Sequence, residues 1–319
     1  MQTMQWRGVI PAMTTPFRTD GSVDYPFLER QCAWLIDNGC TGIVALGSLG
    51  EGATLSFDEK IAILRTTVNA IGRKAPVVAG ISALSTAEAV TLARAAADAG
   101  CQGLMVLPPY VYVGDWREMK AHVGTVLKAT PLSAMLYNNP LAYRVDFLPE
   151  QVAELLSEHE NLHAIKESSA DVRRIAALRA LAGSELEILC GVDDLIVEAI
   201  YSGATGWVAG LVNAFPRESV ELFELTQRGE REAAFDLYKW FLPLLRYDTV
   251  PKFVQLIKFV QELVGRGSGR VRPPRLELSE EEKRVVRNTV EHTVASSDRA
   301  QRPPSGLCAS DRQPAYANK

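Results

Sequence analysis

The sequence has little that would mark it for nucleic acid, a membrane or secretion. Its 319 residues carry 34 Lys and Arg against 38 Asp and Glu, so a basic surface for polyanions is not expected. No uninterrupted apolar run approaches the roughly 20 residues that a membrane-spanning helix needs. Residues 1–8 lack the basic and apolar segments of a secretory signal. We therefore expect a cytoplasmic protein without nucleic-acid or membrane partners.

Metal and disulfide chemistry is equally poorly supported. The five cysteines are odd in number and show no CxxC spacing, which favours reduced thiols over a disulfide framework or a zinc site. Among the four histidines only His159 and His163 are suggestively spaced, and they straddle a predicted helix-to-strand transition. Because such a pair would not share one helix face, we predict no metal site. A Ser-His-Asp triad is also not expected, since its Gly-x-Ser-x-Gly elbow is missing.

What the sequence does have is a strict alternation of short apolar runs and amphipathic segments. Eight such units predict a parallel sheet closed as a (β/α)8 TIM barrel in the α/β class. An open doubly wound sheet is the alternative, but the dinucleotide fingerprint is absent after the first strand. The predicted strands are 8–13, 42–46, 76–81, 103–107, 132–137, 163–166, 187–190 and 205–209. The predicted helices are 24–38, 56–71, 85–100, 115–129, 149–158, 171–181, 193–201 and 216–228.

The C-terminal third departs from this alternation. Three further helices are predicted over 230–246, 251–263 and 279–292. We therefore divide the chain into a barrel (1–228), a C-terminal helical extension (229–294) and a tail (295–319). The tail is rich in Ser, Arg and Pro and is predicted to be disordered, because it has too few apolar residues to form a core.

Lys166 ends the sixth predicted strand, Leu162-His-Ala-Ile-Lys166. A buried strand should be continuously apolar, so a lysine there must reach water, find a partner or lose its proton. At the carboxyl end of a barrel strand it would face an active site, where a desolvated lysine can attack a ketone and form a Schiff base. The alternative is a surface-directed strand-end lysine.

Other strand ends offer partners for such a lysine. The loop 47–52 after the second strand is glycine-rich, so its backbone N–H groups can converge on an anion, with Ser48 as a further donor. Tyr137 ends the fifth strand and could carry protons, although a packed aromatic is the simpler interpretation. Asp193 and Asp194 follow the seventh strand as helix caps or as acid-base groups. A lysine, a tyrosine and an anion cradle at one mouth suit an α-keto acid or its cyclic imine.

The motifs that surround these residues resemble those of the dihydrodipicolinate synthase / N-acetylneuraminate lyase family. They are Gly47-Ser-Leu-Gly-Glu51, Tyr137-Asn-Asn-Pro140 and Ile165-Lys-Glu-Ser168, in the family's order, and the resemblance runs from about Gly8 to Ser279. It implies a class I Schiff-base enzyme, usually a homotetramer. Lys166 would form the Schiff base and Tyr137 would relay protons. Ser48 and Leu49 would bind the substrate carboxylate, and Val208 would contact the substrate.

Some positions depart from dihydrodipicolinate synthases. That group has a threonine where this chain has Leu49, an arginine where it has Ala142, and a tyrosine where it has Val111; Tyr110 or Tyr112 could substitute for the last. These differences disfavour lysine biosynthesis.

A closer resemblance is to the 1-pyrroline-4-hydroxy-2-carboxylate deaminase branch of the family. The segments that carry it include 137–143, 165–174, 191–194, 206–211 and 252–258. It implies a deaminase of the hydrolase or lyase class that forms 2,5-dioxopentanoate and ammonia during hydroxyproline degradation. Lysine and tyrosine supply the electron sink and the proton shuttle, so no cofactor is expected.

Three alternatives stay open. A 2-keto-3-deoxy sugar acid dehydratase and a pyruvate-dependent, dihydrodipicolinate synthase-like aldolase would use the same lysine and tyrosine. A barrel that only binds a keto acid, as a sensor, belongs to a different functional class, because fold alone does not secure activity. The pocket near Tyr110, Ala142 and Tyr143 would have to discriminate among the enzymes.

Overall fold

The chain forms a parallel eight-stranded barrel, as predicted. The computed structural model describes residues 4–109 and 112–295. The tail predicted over 295–319 lies outside them except for Ala295, the last residue of a helix. The strands are hydrogen-bonded in the order β1-β8-β7-β6-β5-β4-β3-β2. A bridge between Ala12 and Val44 and the hydrogen bond from Thr41 N–H to Val9 O (2.9 Å) join the two ends of that order. The sheet therefore closes on itself.

The strands and helices alternate through the barrel and are followed by three helices. The strands are β1 (Gly8–Pro11), β2 (Ile43–Ala45), β3 (Val77–Ile81), β4 (Gly103–Val106), β5 (Ser133–Asn138), β6 (Leu162–Glu167), β7 (Glu187–Cys190) and β8 (Gly206–Ala209). The barrel helices are α1 (Tyr25–Asp37), α2 (Phe57–Ile71), α3 (Thr86–Asp98), α4 (Trp116–Leu127), α5 (Pro140–Tyr143), α6 (Pro149–Glu158), α7 (Arg173–Ala182), α8 (Ile196–Tyr201) and α9 (Pro216–Gln227). The remaining helices are α10 (Arg231–Leu245), α11 (Phe253–Leu263) and α12 (Glu280–Ala295).

Local sequence signals explain where several helices begin. The Ser56 side chain accepts a hydrogen bond from Glu59 N–H, and the Glu59 carboxylate accepts from Ser56 N–H in return, which is a complete capping box. Asp115 caps α4 in the same reciprocal way. Caps of this kind satisfy the N–H groups that the first turn leaves free, so these starts were readable from the sequence.

Apolar side chains fill both faces of the sheet. The barrel interior contains Ile10, Val44, Val78, Met105, Met135, Ala164, Leu189 and Val208, all at most 1% exposed. A second and larger cluster lies between the sheet and the surrounding helices. The interior is thus a packed core, and only the carboxyl ends of the strands remain available for a site.

The C-terminal extension packs back onto the barrel. Helix α10 contacts α9, and α12 lies across α10 and α11. A 3-10 turn, Arg246–Thr249, joins α10 to α11 and packs against a second 3-10 turn, Asp193–Leu195, after β7. This arrangement brings the extension to the mouth of the barrel.

Within the described residues no helix has the length and apolar character needed to cross a membrane.

Candidate functional site

A cavity of about 830 Å³ opens at the carboxyl ends of the strands. Its lining includes the five residues to which the family resemblance assigned catalytic or binding roles: Ser48, Leu49, Tyr137, Lys166 and Val208. These residues come from loops or strands that are far apart in the chain, and barrel closure brings them together. The cavity size is within the range of small-molecule sites.

Lys166 and Tyr137 are neighbours across the β5–β6 ladder, where their Cα atoms are paired in register. The Lys166 Nζ lies 4.4 Å from the centre of the Tyr137 ring, in cation–π geometry. Lys166 is 7% exposed and Tyr137 is 5% exposed, so both are largely removed from water. The lysine has therefore not escaped to bulk solvent, and its amine is held beside a phenol.

Gly191 makes room for this lysine. A Cβ at Gly191 would lie 2.5 Å from Lys166 Cε and 2.0 Å from Ser168 Oγ, so a larger residue would displace both side chains. The Ser168 hydroxyl is buried and has no hydrogen-bond partner in the described part of the chain. Since Ser168 also borders the cavity, its hydroxyl is available to a ligand.

The loop after β2 is the predicted anion cradle. Leu46 and Glu51 both have left-handed backbone conformations, with φ of 67° and 55°. A Cβ at Gly52 would lie 2.2 Å from Leu46 O, so this tight fold requires glycine there. The Glu51 N–H donates to Ser48 O at 3.1 Å and closes the turn. Ser48 and Leu49 are thereby placed at the cavity wall.

Hydroxyl groups connect this loop toward Tyr137. Ser48 Oγ and the Tyr143 hydroxyl form a short hydrogen bond. The Tyr143 ring meets the Tyr137 ring edge to face, with centroids 5.7 Å apart. Asn139 Nδ2 donates to the Tyr137 hydroxyl at 3.0 Å. The Ser48, Tyr143 and Tyr137 side chains thus form a contiguous series of contacts from the cradle to Lys166.

Tyr143 owes its position to α5, which the sequence did not predict. The Asn139 side chain accepts from Ala142 N–H at 3.0 Å and caps this one-turn helix, with Pro140 at its first position. The sequence predicted only that Tyr137 ends the fifth strand, and no element was predicted between residues 137 and 149. Asn–Pro in that position is a helix start, which was the available signal.

A buried ion pair holds the cradle from below. Glu51 and Lys258 are each about 1% exposed, and Lys258 Nζ lies 2.9 Å from Glu51 Oε1 and 2.9 Å from Thr15 O. The Arg272 N–H donates to Glu51 Oε2 at 3.0 Å. Burial lowers the pKa of Lys258, and the Glu51 charge opposes that shift. The C-terminal extension therefore supports the loop that carries Ser48.

Asp193 is a structural anchor rather than a side-chain cap for α8. Its carboxylate accepts from Trp207 Nε1 at 2.9 Å, from Gly210 N–H at 3.1 Å and from Leu211 N–H at 2.8 Å. Burial raises the pKa of Asp193 to about 6, although these hydrogen bonds oppose the shift. Asp194 borders the cavity beside it. Of the two uses offered for this pair, helix capping by Asp193 is not seen.

Of the two tyrosines proposed to replace Val111, only Tyr112 can be located, and it is not brought into this site. Tyr110 and Val111 lie outside the described residues. Tyr112 is 52% exposed, and its hydroxyl donates to Glu118 Oε1 at 2.8 Å.

His163 forms a hydrogen bond and is not part of a metal site. Its Nδ1 pairs with Ser133 Oγ at 2.7 Å, and the described residues contain no cluster of His, Cys, Asp or Glu suited to a metal ion.

Several cavity residues could not be predicted from the sequence, and two of them carry a charge and come from outside the barrel. Asp248 and Arg275 belong to the C-terminal extension, yet both border the same cavity as Lys166. Each lies in an irregular segment without periodicity or a motif. Only the way in which the extension folds back over the barrel reveals them.

Comparisons with known proteins agree with this architecture. Residues 5–293 match the family model described as the dihydrodipicolinate synthetase family. A 4-hydroxy-tetrahydrodipicolinate synthase from Methanothrix thermoacetophila is 33% identical over 286 residues, which is 89% of this chain and 96% of that protein. The Desulforamulus reducens protein of the same name is 31% identical over 288 residues, 90% of this chain and 97% of that protein.

Solved structures show the same similarity. Dihydrodipicolinate synthase from Aquifex aeolicus superposes with a TM-score of 0.87 at 28% identity, covering 93% of this chain and 99% of that one. YagE, a prophage protein of the dihydrodipicolinic acid synthase family from E. coli K12, gives a TM-score of 0.85 at 28% identity over 90% of this chain and 98% of its own. The YagE structure is a complex with pyruvate.

Proposed function

Because the chain belongs to the dihydrodipicolinate synthetase family, we propose that it is a Schiff-base lyase acting on a 2-oxo acid or a cyclic imine. The observation that carries this proposal is the placement of Lys166, buried at the end of β6 with its Nζ 4.4 Å from the Tyr137 ring centre, inside a small-molecule cavity. A desolvated amine is a suitable nucleophile for a carbonyl carbon. The imine that it forms is itself an electron sink, so the proposal requires no dissociable cofactor.

The other site residues receive roles in the same proposal. The cradle at Ser48 and Leu49 binds the substrate carboxylate and so presents the adjacent carbon to Lys166. Val208 packs against the carbon chain of the substrate. Tyr137 moves the proton between the substrate and the Ser48–Tyr143 pair.

For the finer substrate assignment, the comparisons favour a dihydrodipicolinate synthase-like lyase. The relatives described above are named 4-hydroxy-tetrahydrodipicolinate synthase. In this version of the proposal, pyruvate forms an imine on Lys166, loses a methyl proton and attacks an aldehyde as the enamine. The new carbon–carbon bond is the one that a lyase of this class makes or breaks.

A second candidate is the deaminase or dehydratase chemistry inferred from the sequence. The supporting observation is that Leu49 and Ala142 both line the cavity. The motif resemblance implies a threonine and an arginine at these positions in the synthases. Lys166 would open a hydroxypyrroline carboxylate ring by transimination. Loss of a proton and of the hydroxyl group, followed by two hydrolyses, would give 2,5-dioxopentanoate and ammonia.

Borohydride trapping tests the Schiff base directly. With pyruvate and borohydride, we expect a stable adduct on the peptide that contains Lys166, located by mass spectrometry. Lys166→Ala should give no adduct and no turnover. Lys239→Ala is the matched control, because that lysine is 56% exposed on α10 and should leave the adduct intact. An adduct on another lysine, or normal turnover by Lys166→Ala, would refute the proposal.

A substrate panel separates the two candidates. Ammonia release from 1-pyrroline-4-hydroxy-2-carboxylate would support the deaminase, and dehydration of a 2-keto-3-deoxy sugar acid would support the dehydratase. Pyruvate-dependent consumption of an aldehyde would support the synthase-like lyase. Pyruvate trapping without turnover of any of these substrates would instead favour the keto-acid-binding sensor.

We also propose that the protein assembles as a homotetramer, which rests on the family resemblance alone. Light scattering coupled to size-exclusion chromatography measures the mass directly. A monomeric mass at assay concentration would reject this part of the proposal.

A further inference from the structure

Asp248 places a carboxyl group in the cavity from outside the barrel. It lies in the 3-10 turn Arg246–Thr249 between α10 and α11, and it borders the same cavity as Lys166 and Tyr137. Its Oδ1 would be 2.3 Å from a Cβ at Gly210, the residue that follows β8. The carboxyl group therefore rests directly against the end of the barrel wall.

The elements that carry Asp248 and Tyr137 lie on opposite sides of β6, the strand that carries Lys166. Tyr137 is on β5, which pairs with β6 on one side. On the other side β6 pairs with β7, and the 3-10 turn after β7 contacts the turn that carries Asp248. A substrate bound to Lys166 would consequently have a phenol on one side and a carboxyl group on the other.

The surroundings of Asp248 favour its neutral form. Burial raises its pKa well above the ordinary value, and the Asp193 charge raises it further. Asp194 acts in the same direction from the turn after β7, whereas Lys166 and the Asp193 N–H oppose the shift. Two arginines also lie in this region: Arg246, 3.9 Å from Asp194, and Arg275, which lines the cavity. A protonated carboxyl group can donate a proton.

We propose that Asp248 is a general acid. It protonates the substrate oxygen on the carbon that lies two bonds from the Schiff-base carbon. This inference rests on the proposed Schiff-base function and adds a second proton carrier to it. In a dehydration, the enamine electron pair forms the new C=C bond, the C–O bond breaks, and the departing hydroxyl takes the Asp248 proton to leave as water. In an aldol addition, the enamine attacks the aldehyde carbon and the aldehyde oxygen takes that proton. Either step leaves Asp248 as a carboxylate, which regains a proton from water.

Asp248→Asn separates the two halves of the reaction. Lys166 should still be trapped by pyruvate and borohydride, and Tyr137 should still exchange the pyruvate methyl protons with deuterium from D2O. Turnover of whichever panel substrate the wild type accepts should fall about 10²–10⁴-fold, the usual worth of a general acid. Asp236→Asn is the control, because that aspartate lies on the exposed face of α10 and is 74% exposed.

The dependence of kcat on pH gives a second test, because a purely structural role of Asp248 would not change the shape of this profile. Because the acid form of Asp248 is the active one, wild-type kcat should fall as pH rises through its elevated pKa. Asp248→Asn should lack this alkaline limb, and Asp248→Glu should retain a shifted one.

Each outcome decides the question. Wild-type turnover without an alkaline limb, or near-normal turnover by Asp248→Asn with the limb retained, would overturn the role of Asp248 while leaving the Schiff base intact. Failure of pyruvate trapping on wild-type Lys166 would overturn the underlying function instead. If Asp248→Asn loses trapping as well, Asp248 is a structural residue and the inference is wrong.

Discussion

Tyr137 is held by contacts on three sides of its ring and hydroxyl. Its hydroxyl accepts from Asn139, its ring face meets Lys166 and its ring is met edge to face by Tyr143. Such contacts fix the direction of the hydroxyl group before any substrate arrives. Preorganisation of this kind lets a proton carrier act without first being reoriented.

Tyr137→Phe should therefore remove one proton carrier while preserving the pocket shape. We expect kcat to fall by about 10²–10⁴-fold, because general acid-base groups commonly contribute that much. Pyruvate should still bind, so KM should change far less than kcat. Deuterium exchange into the pyruvate methyl group, followed by NMR, measures the affected step. Tyr112→Phe is the control, since that hydroxyl donates to Glu118 at the surface. If Tyr137→Phe exchanged the pyruvate methyl protons as fast as wild type, the proton carrier would be another group.

At the residue scale, the strand-end positions that meet in the cavity were predictable, and the position of Asp248 was not. Lys166, Tyr137 and Ser48 each end or follow a readable strand, and parallel strands of a barrel bring such positions to one mouth. Asp248 follows a helix and lies 82 positions beyond Lys166 in the chain. Its proximity depends on how α10 and α11 pack against the turn after β7, which no local pattern encodes.

The loop after β2 and helix α11 are joined by a buried ion pair. Two left-handed residues and the glycine at position 52 give the loop its shape, and Lys258 of α11 neutralises the Glu51 carboxylate beneath it. A charge buried this completely is tolerated only when it is paired and hydrogen-bonded. The position of the anion cradle thus depends on an element of the C-terminal extension.

Lys258→Met should destabilise the protein, because it removes the cation 2.9 Å from the buried Glu51 carboxylate and leaves only the more distant Arg275, at 4.0 Å. We expect a loss of about 3–5 kcal/mol in the free energy of unfolding, measured by urea denaturation. Glu51→Gln together with Lys258→Met should cost less than the sum of the two single changes. Lys239→Met removes an exposed lysine and should cost about 1 kcal/mol or less. If Lys258→Met unfolded at the wild-type urea concentration, the pair would have no such role.

Most element types and positions were predictable because local signals agreed with the fold. The buried strands are short apolar runs, and capping side chains such as Ser56 and Asp115 mark helix starts. The predicted helix over 193–201 divides into a 3-10 turn and α8, because the Asp193 carboxylate is bound to the end of β8 instead of capping a helix. Tertiary hydrogen bonding decided that local structure.

The whole molecule is a barrel whose mouth is built partly by its own C-terminal segment. Asp248 reaches the cavity, Lys258 supports the cradle, and Arg272 binds Glu59 of α2. These attachments come from three different parts of the extension and reach three different parts of the barrel. We therefore expect the proposed division at 228/229 to be a boundary of sequence pattern and not of independent folding.

The link between Arg272 and Glu59 should give the molecule a pH-dependent stability. The Arg272 guanidinium, and burial opposing it, set the pKa of Glu59 at about 2, below its ordinary 4.5. Because the pKa of Glu59 is lower in the folded state, the ionised carboxylate stabilises the fold, and this contribution is fully present above pH 4.5. It is lost as the pH falls toward 2. Allowing for solvent screening of a partly exposed pair, we expect the ion pair to contribute about 1–2 kcal/mol to the free energy of unfolding.

Glu59→Gln should lower the free energy of urea unfolding by that amount at pH 6, and the difference in this free energy between wild type and variant should narrow at pH 3. Glu281→Gln, which alters an ion pair within α12 with a 69% exposed carboxylate, should show neither effect. A gap between wild type and Glu59→Gln that stayed constant from pH 6 to pH 3 would show that this ion pair does not govern the acid stability of the molecule.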